Sequence, residues 1–441
     1  MSTEPEIPFQ EIKSLAGTLI GRDLKTKQVA VLHGSCKGSS YAEIATENGL
    51  KLEYLNNNVG PDLWKALEKA LETPVCKGNV KEVLEREWLK RQIKSPPADS
   101  MLIEIPEGCI DINSPFYINR PPIEPNCYRM VLQPGSLIRI RSPRKTGKTS
   151  LFHRILDHAS NNGCKTPRVD LQQADKPIAS LDKFLRWFCA SISRQLNREP
   201  KLDDYWDEEI GSILSATCYF QEHFLEPLEQ EDGNLVLGLD EIDWIFQYPD
   251  IAAEFLPLLR SWHEEAKVTP LWGRLRLVMA HSTEVNLSLT VDKSPFNVGL
   301  PVKLPEFTRQ QVEELVQLHK LPWMKNEEIN KMMEVIGGHP HLVRLALYNF
   351  ACQSITLEQF LENAHTNEGI YQDNLRKHLQ TLEKHPDLIA ALKQVVMAPI
   401  PLQLDWLQLY QLESIGLVKP NGNNVEPSCE LYRRYFSAQI F

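Results

Sequence analysis

The stretch "GSLIRIRSPRKTGKTSLFHRILDHASNN" (135–162) decides the fold. Leu137, Ile138 and Ile140 make residues 135–142 an apolar strand, and an amphipathic helix is predicted to begin at Lys148. Between them, "SPRKTGKTSL" (142–151) follows GxxxxGK[ST], except that Ser142 stands at the first glycine. That pattern works because bare backbone N–H groups wrap phosphates at a helix N-terminus. Gly147 then permits the close approach, Lys148 reaches the β- and γ-phosphates, and the Thr149 hydroxyl ligates Mg²⁺. Ser142, Pro143, Arg144, Lys145, Thr146 and Ser150 complete the loop around a nucleotide. The first position mainly needs a small residue at the strand exit. Serine meets that demand, at a cost only if its φ is positive.

Downstream, "LVLGLDEID" (235–243) is an apolar strand ending in Asp240 and Glu241. In a hydrolytic nucleotide site the first acid holds Mg²⁺ through water, and the second orients and activates the attacking water. Either acid alone is what any capped, buried strand shows. The pair, following a phosphate loop, points to nucleotide hydrolysis, with Glu241 and Asp240 catalytic and Thr149 and Asp240 on the metal. The next strand, "LRLVMAHST" (275–283), ends in His281, Ser282 and Thr283, which either sense the γ-phosphate or cap the strand. Arg260 stands between an arginine finger for a neighbouring subunit and an ordinary surface arginine.

Strands and helices alternate from 135 to 304, which predicts a parallel sheet covered on both faces. Around it the chain divides into 1–95, a helical module; 96–304, the P-loop core; 305–384, an all-helical lid; and 385–441. "KSPPADS" (94–100) is the first linker. In 1–95 a helix at Tyr41, Ile44 and Ala45, a turn at Gly49, a second helix at Leu52 and Leu55 and a third at Leu63, Trp64, Leu67 and Leu71 outline a helix-turn-helix. A plain helical bundle has the same outline. "LDWLQLYQLESIGLVKPNGNNVEPSCELYRRYF" places a helix before Gly416, two short strands turning at "NGNN", and a closing helix, the order of a winged helix. The fold class is therefore multidomain α/β: an AAA+-like parallel sheet with an N-terminal helix-turn-helix, a helical lid and a C-terminal winged helix.

Composition sets the limits. The chain has 441 residues, 42% hydrophobic and 24% charged, with a formal net charge of −10. That charge argues against nucleic-acid binding by the whole protein, which depends on neutralising phosphates. It leaves room for a local DNA contact through residues 1–95, where basic and acidic residues balance. No apolar run approaches the ~18–20 residues that span a bilayer, and "MSTEPEIPFQ" lacks a secretory n-region and h-region. Nine cysteines without any CxxC are expected to be reduced core thiols in a cytoplasmic protein. HExxH and GxSxG do not occur.

The P-loop, the Asp240-Glu241 strand and "IGGHPHLVRLAL" (336–347) together resemble the AAA-like family of STAND-type ATPases, signalling NTPases related to NACHT and initiator-type AAA+ proteins. The resemblance runs from about Asp111 to the C-terminus, and a small residue in place of the first P-loop glycine is usual in that mainly cyanobacterial family. It implies that "SPFYINRPPIE" (114–124) carries Arg120 and Glu124 near the adenine, although Asn119 stands where a glycine is expected. It implies also that Gly338-His339-Pro340 is the lid motif whose proline packs on the base. In such proteins the winged helix packs on the lid and locks the nucleotide. The N-terminal module resembles the helix-turn-helix of vWA–MoxR-associated conflict-system proteins.

The expected activity is an ATP-binding molecular switch in signalling, regulation or defence. It uses ATP/ADP and Mg²⁺ and turns over slowly unless a partner or oligomer completes the site. A DNA-binding ATP-dependent regulator and a nucleotide-locked scaffold for an effector protein are the alternatives. Candidate partners are a protein sensor or effector, DNA, and further copies of the chain; no membrane is expected.

Overall fold

A computed structural model describes residues 9–20, 24–71, 73–85, 87, 103–174, 180–207, 209–282 and 295–439. The linker at 94–100 and Thr283 lie outside them. The chain forms two compact units, Met1–Leu102 and Ile103–Phe441.

In the first unit, α1 (Phe9–Ile20), α2 (Thr26–Cys36) and α3 (Tyr41–Glu47) precede a helical run, α4, over residues 52–71. Ser40 caps α3 with its side chain, and Glu43 returns the bond to Ser40 N–H, a reciprocal box that fixes the helix start. Two helices were expected where α4 is one. A π turn at Leu55–Val59 joins them, with Gly60 N–H bonding Leu55 O. The wide turn keeps Leu55, Val59, Leu63 and Leu67 buried together, and it admits Pro61, which has no N–H to give. Ile12, Ala16, Leu32, Ile44, Val80 and Leu84 complete that core.

In the second unit the helix α5 (Ile123–Val131) leads to a parallel sheet. Its strands are β1 (Leu137–Arg141), β2 (Cys164–Lys165), β3 (Arg168–Asp170), β4 (Asn234–Asp240), β5 (Leu275–His281) and β6 (Leu300–Lys303). The order is β2-β4-β5-β1-β6, with β3 pairing farther along β4. All seven residues of β5 are buried, as a strand covered on both faces requires. Ile138 and Ile140 face α5 and α6 (Lys148–Asn161), packing with Val131, Leu151, Phe152 and Ile155. The opposite face carries α7 (Leu181–Gln195), a helical run α8 over 212–230, and α9 (Pro249–Glu265). There Phe184, Phe188, Phe220, Phe255 and Trp262 pack on Leu237, Leu277 and Met279.

Beyond β6 come α10 (Arg309–Leu318), α11 (Asn326–Ile336), α12 (Pro340–Ala351), α13 (Leu357–Asn363) and α14 (Gln372–Glu383). They are followed by α15 (Pro386–Met397), α16 (Trp406–Ile415), the hairpin β7 (Val418–Asn421) and β8 (Asn424–Pro427), and α17 (Glu430–Gln439). Leu402 bridges Val425 and adds a third strand position to the hairpin. One apolar core runs through all of these elements, from Phe307 to Phe436, and takes in Phe116 and Ile118 from before the sheet. All nine cysteines are free; Cys127, Cys164 and Cys189 are buried, whereas Cys76 and Cys109 are exposed and so are not core thiols. Among the described residues no helix is long and apolar enough to cross a membrane.

Candidate phosphate-binding site

The loop between β1 and α6 is shaped by three residues. Gly147 caps α6 with φ 99° and ψ 19°, a left-handed conformation that glycine adopts freely. Lys145 also has a positive φ, 62°, whereas Ser142 does not. Serine at the first loop position therefore carries no backbone penalty. Its side chain is wholly buried and accepts the Leu304 N–H at 2.8 Å, so the hydroxyl stitches the end of β1 to the end of β6. A glycine could not make this bond, and no local pattern signals it.

Within the loop, Thr146 Oγ1 donates to Pro143 O at 2.8 Å, and Arg120 donates to Thr146 O at 2.9 Å. The Arg120 guanidinium is buried and lies over the Phe307 ring. Glu124, also buried, accepts from Arg120 N–H and from the Tyr117 hydroxyl. Arg120 and Glu124 thus brace the loop from behind. Ser150 Oγ accepts Ile110 N–H, and Arg154 of α6 donates to the carbonyls of Asp111 and Ile112. Lys148 folds back over the loop, donating to Ser142 O at 2.7 Å and Pro143 O at 2.9 Å. The Thr149 hydroxyl takes no hydrogen bond from the described residues, and Arg144 is exposed.

Asp240 ends β4, two strands from β1 across β5. Burial pushes its carboxyl up to about 6; the Glu241 N–H and the nearby Lys148 ammonium oppose that rise. Glu241 has φ 52° and ψ 42°, and its carboxylate takes no hydrogen bond from the described residues. Asp243 is a third acid that the sequence reading passed over. It accepts both the backbone N–H and the hydroxyl of Ser282, the latter at 2.8 Å, and burial raises its carboxyl to about 6 as well. His281 is buried against Phe296, and burial lowers it to about 3. Arg260 pairs with Glu264 one turn along α9. Among the described residues no group of three His, Cys, Asp or Glu side chains is placed to hold a metal alone. A Mg²⁺ ion completed by phosphate and water needs only one or two protein oxygens, fewer than such a group.

A family model described as an AAA-like domain matches residues 105–438, three-quarters of the chain and the whole of this site. The chain belongs to that family. A second model, the vWA–MoxR-associated protein N-terminal helix-turn-helix, matches residues 7–87. No curated protein matches. Among solved structures, a Walker-type ATPase of Pyrococcus abyssi aligns with a TM-score of 0.51 at 14% identity, over 73% of this chain and 96% of its own. The Aeropyrum pernix ORC2 protein in ADPNP–ADP complexes aligns at 0.44, with 16% identity over 75% and 97%. The Aeropyrum pernix ORC1 protein in complex with DNA aligns at 0.38, with 15% identity over 74% and 95%. The fold is that of a P-loop ATPase.

In this AAA-like domain the loop is also held from its outer side. Lys145 Nζ lies 3.1 Å from His341 Nε2 and donates to Asn374 Oδ1 at 3.2 Å. Asn374 donates to the Tyr432 hydroxyl, which in turn meets His378 Nε2. This polar chain joins the loop to α12, α14 and α17. Gly416, at the end of α16, has φ 87°, and a Cβ there would lie 3.1 Å from Pro143 Cβ. Beside it Lys303 pairs with Glu413 at 2.7 Å, and Arg141 lies over the Tyr410 ring. Pro340 is buried as the first residue of α12, and the preceding Gly338 backbone bonds Phe307 N–H and Glu306. His339, which caps α12, and His341 are both lowered by burial.

Proposed function

We propose that this AAA-like domain is an ATP-binding and ATP-hydrolysing switch of the STAND type, acting in cytoplasmic signalling, regulation or defence. One observation carries the reading: the loop fit to hold phosphates is gripped at once by Arg120, by Lys145 through α12 and α14, and by Gly416 through α16. Placing phosphates under Gly147, Lys148 and Thr149 then alters contacts made by the lid (305–384) and by the terminal segment (385–441), which we read as a winged helix. Lys148 exchanges the Ser142 and Pro143 carbonyls for phosphate oxygens. Thr149 and Asp240 hold Mg²⁺, whose charge neutralises the phosphates, and Glu241 orients the attacking water. Arg120, Glu124 and Pro340 border the base. Turnover is slow until a partner or a further copy completes the site.

Equilibrium binding of ATP and ADP with Mg²⁺, together with phosphate release, tests this in wild type and Lys148→Ala. The variant is expected to bind at least about tenfold more weakly, about 1.4 kcal/mol, and not to turn over. Equal behaviour of the two proteins refutes the reading. Sizing with ADP and with a slowly hydrolysed analogue separates a switch, which changes assembly, from a scaffold, which does not.

The helix-turn-helix match over 7–87 favours a second reading, an ATP-dependent DNA-binding regulator. It requires DNA affinity that falls with salt and disappears when residues 1–95 are removed.

A further inference from the structure

β4 and β5 are parallel neighbours, so Asp240 and Ser282 emerge at the same end of the sheet. Immediately after Asp240 the chain reverses through Glu241, whose φ of 52° and ψ of 42° lie in the left-handed region. A non-glycine residue holds that conformation only where its surroundings over-determine it. Three constraints act here. Glu241 N–H donates to Asp240 Oδ1 at 2.9 Å, Trp244 N–H donates to Glu241 O at 3.0 Å, and the tight turn Ile242–Gln247 buries Ile242 and Ile245. The first two are local and move with the turn.

Asp243 adds a polar constraint that, like the burial of Ile242 and Ile245, reaches beyond the turn. From the first residues of the turn its Oδ2 reaches β5 and takes both donors of Ser282. Ser282 is itself buried, and its carbonyl faces His281 Nδ1 at 3.0 Å, so every polar group of that residue is engaged. The other oxygen of Asp243 is buried and has no partner among the described residues. A carboxylate desolvated in this way is kept for what its one bonded oxygen does.

We propose that Asp243 is a positioning residue for hydrolysis: by clamping Ser282 it ties the Glu241 turn to β5 and, with Ile242 and Ile245, holds Glu241 in the left-handed conformation from which its carboxylate acts. The proposal rests on the ATP-hydrolysing reading of the site. Releasing the clamp lets Glu241 relax to an ordinary φ and swings its carboxylate away, while Gly147, Lys148 and Thr149, at the start of α6 behind a different strand, keep their grip.

Single-turnover hydrolysis and Kd for ATP with Mg²⁺, measured on the full chain, test this in Asp243→Ala, Asp243→Asn, Ser282→Ala and Ser282→Thr. Asp243→Ala is expected to slow hydrolysis about 100-fold, the scale of a misplaced catalytic group, with Kd within about threefold of wild type. Asp243→Asn keeps an acceptor for Ser282 and retains at least about a tenth of the rate; it carries the test if the alanine variant does not fold. Ser282→Ala slows hydrolysis several-fold and Ser282→Thr restores it. Wild-type rates in both Asp243 variants overturn the proposal. So does a loss of affinity in step with rate, which makes Asp243 a structural prop or a metal ligand. Wild type that binds ATP without hydrolysing it overturns it too. Failure of the ATP reading is seen separately, as equal nucleotide binding by wild type and Lys148→Ala.

Discussion

Replacing Ser142 with glycine would make the loop match its consensus, yet it should weaken the protein. Ser142 Oγ accepts the buried Leu304 N–H, and no other partner for that N–H stands among the described residues. Removing the acceptor strands a buried donor, at about 1–3 kcal/mol. Glycine also loses more chain entropy on folding, about 0.5–1 kcal/mol, and gains nothing in return because φ at 142 is not positive. The sum is about 1.5–4 kcal/mol, a fall in Tm of about 2–6 °C for a unit of this size. Ser142→Ala isolates the hydrogen bond and should fall between glycine and wild type. Thermal and urea unfolding, followed on a signal from residues 103–441, measure both. A glycine variant as stable as wild type would refute the reasoning and return Ser142 to the status of a filler.

Two further outcomes follow from the contacts outside the loop. Gly416→Ala must place a side chain at φ 87° and 3.1 Å from Pro143; it should cost about 1–2 kcal/mol, and an unchanged Tm would show that α16 does not press on the loop. Burial, reinforced by His339, Lys145 and Arg144, holds His378 at about 4, below its usual value near 6.5. The unfolded chain therefore takes up a proton that the folded one refuses, and stability is lost as pH falls from 6.5 towards 4. In His378→Gln that loss should shrink, so urea midpoints of wild type and variant converge on acidification. Parallel curves would exclude His378 as a source.

Much of the site could be read from the chain because its parts are local in sequence. Gly147, Lys148 and Thr149 are consecutive, Asp240 and Glu241 end an apolar run, and strand-helix alternation dictates a parallel sheet. What escaped the sequence is what depends on long-range pairing. The Ser142–Leu304 bond, the Asp243–Ser282 clamp and the Lys145–Asn374 contact join residues from different elements, and no periodicity announces them. Arg120 and Glu124 are named only through the family resemblance, as neighbours of the adenine; the bond from Arg120 to Thr146 O is again one that no local pattern announces. The break expected between the second and third N-terminal helices is absent for another reason: a π turn at Leu55–Val59 carries the helix on through Gly60 and Pro61. One apolar cluster holds Leu382 and Leu388, on either side of the expected division at 384/385.

The segment before the sheet has a bearing on how the chain is made. Phe116 and Ile118 belong to the core completed by Phe307 through Phe436, and Arg344 of α12 donates to Phe116 O and Glu104 O. During synthesis these residues leave the ribosome long before the surface that covers them exists. β1 likewise waits for β6. Domains are generally finished in the order in which they emerge, but here residues that precede the sheet are covered by helices that follow it, Phe116 meeting His319 and Arg344. The nascent chain must therefore carry Phe116 and Ile118 unburied until α10 and α12 have emerged, a natural point of engagement for a chaperone, and a product stalled before them would keep these residues exposed and invite proteolysis.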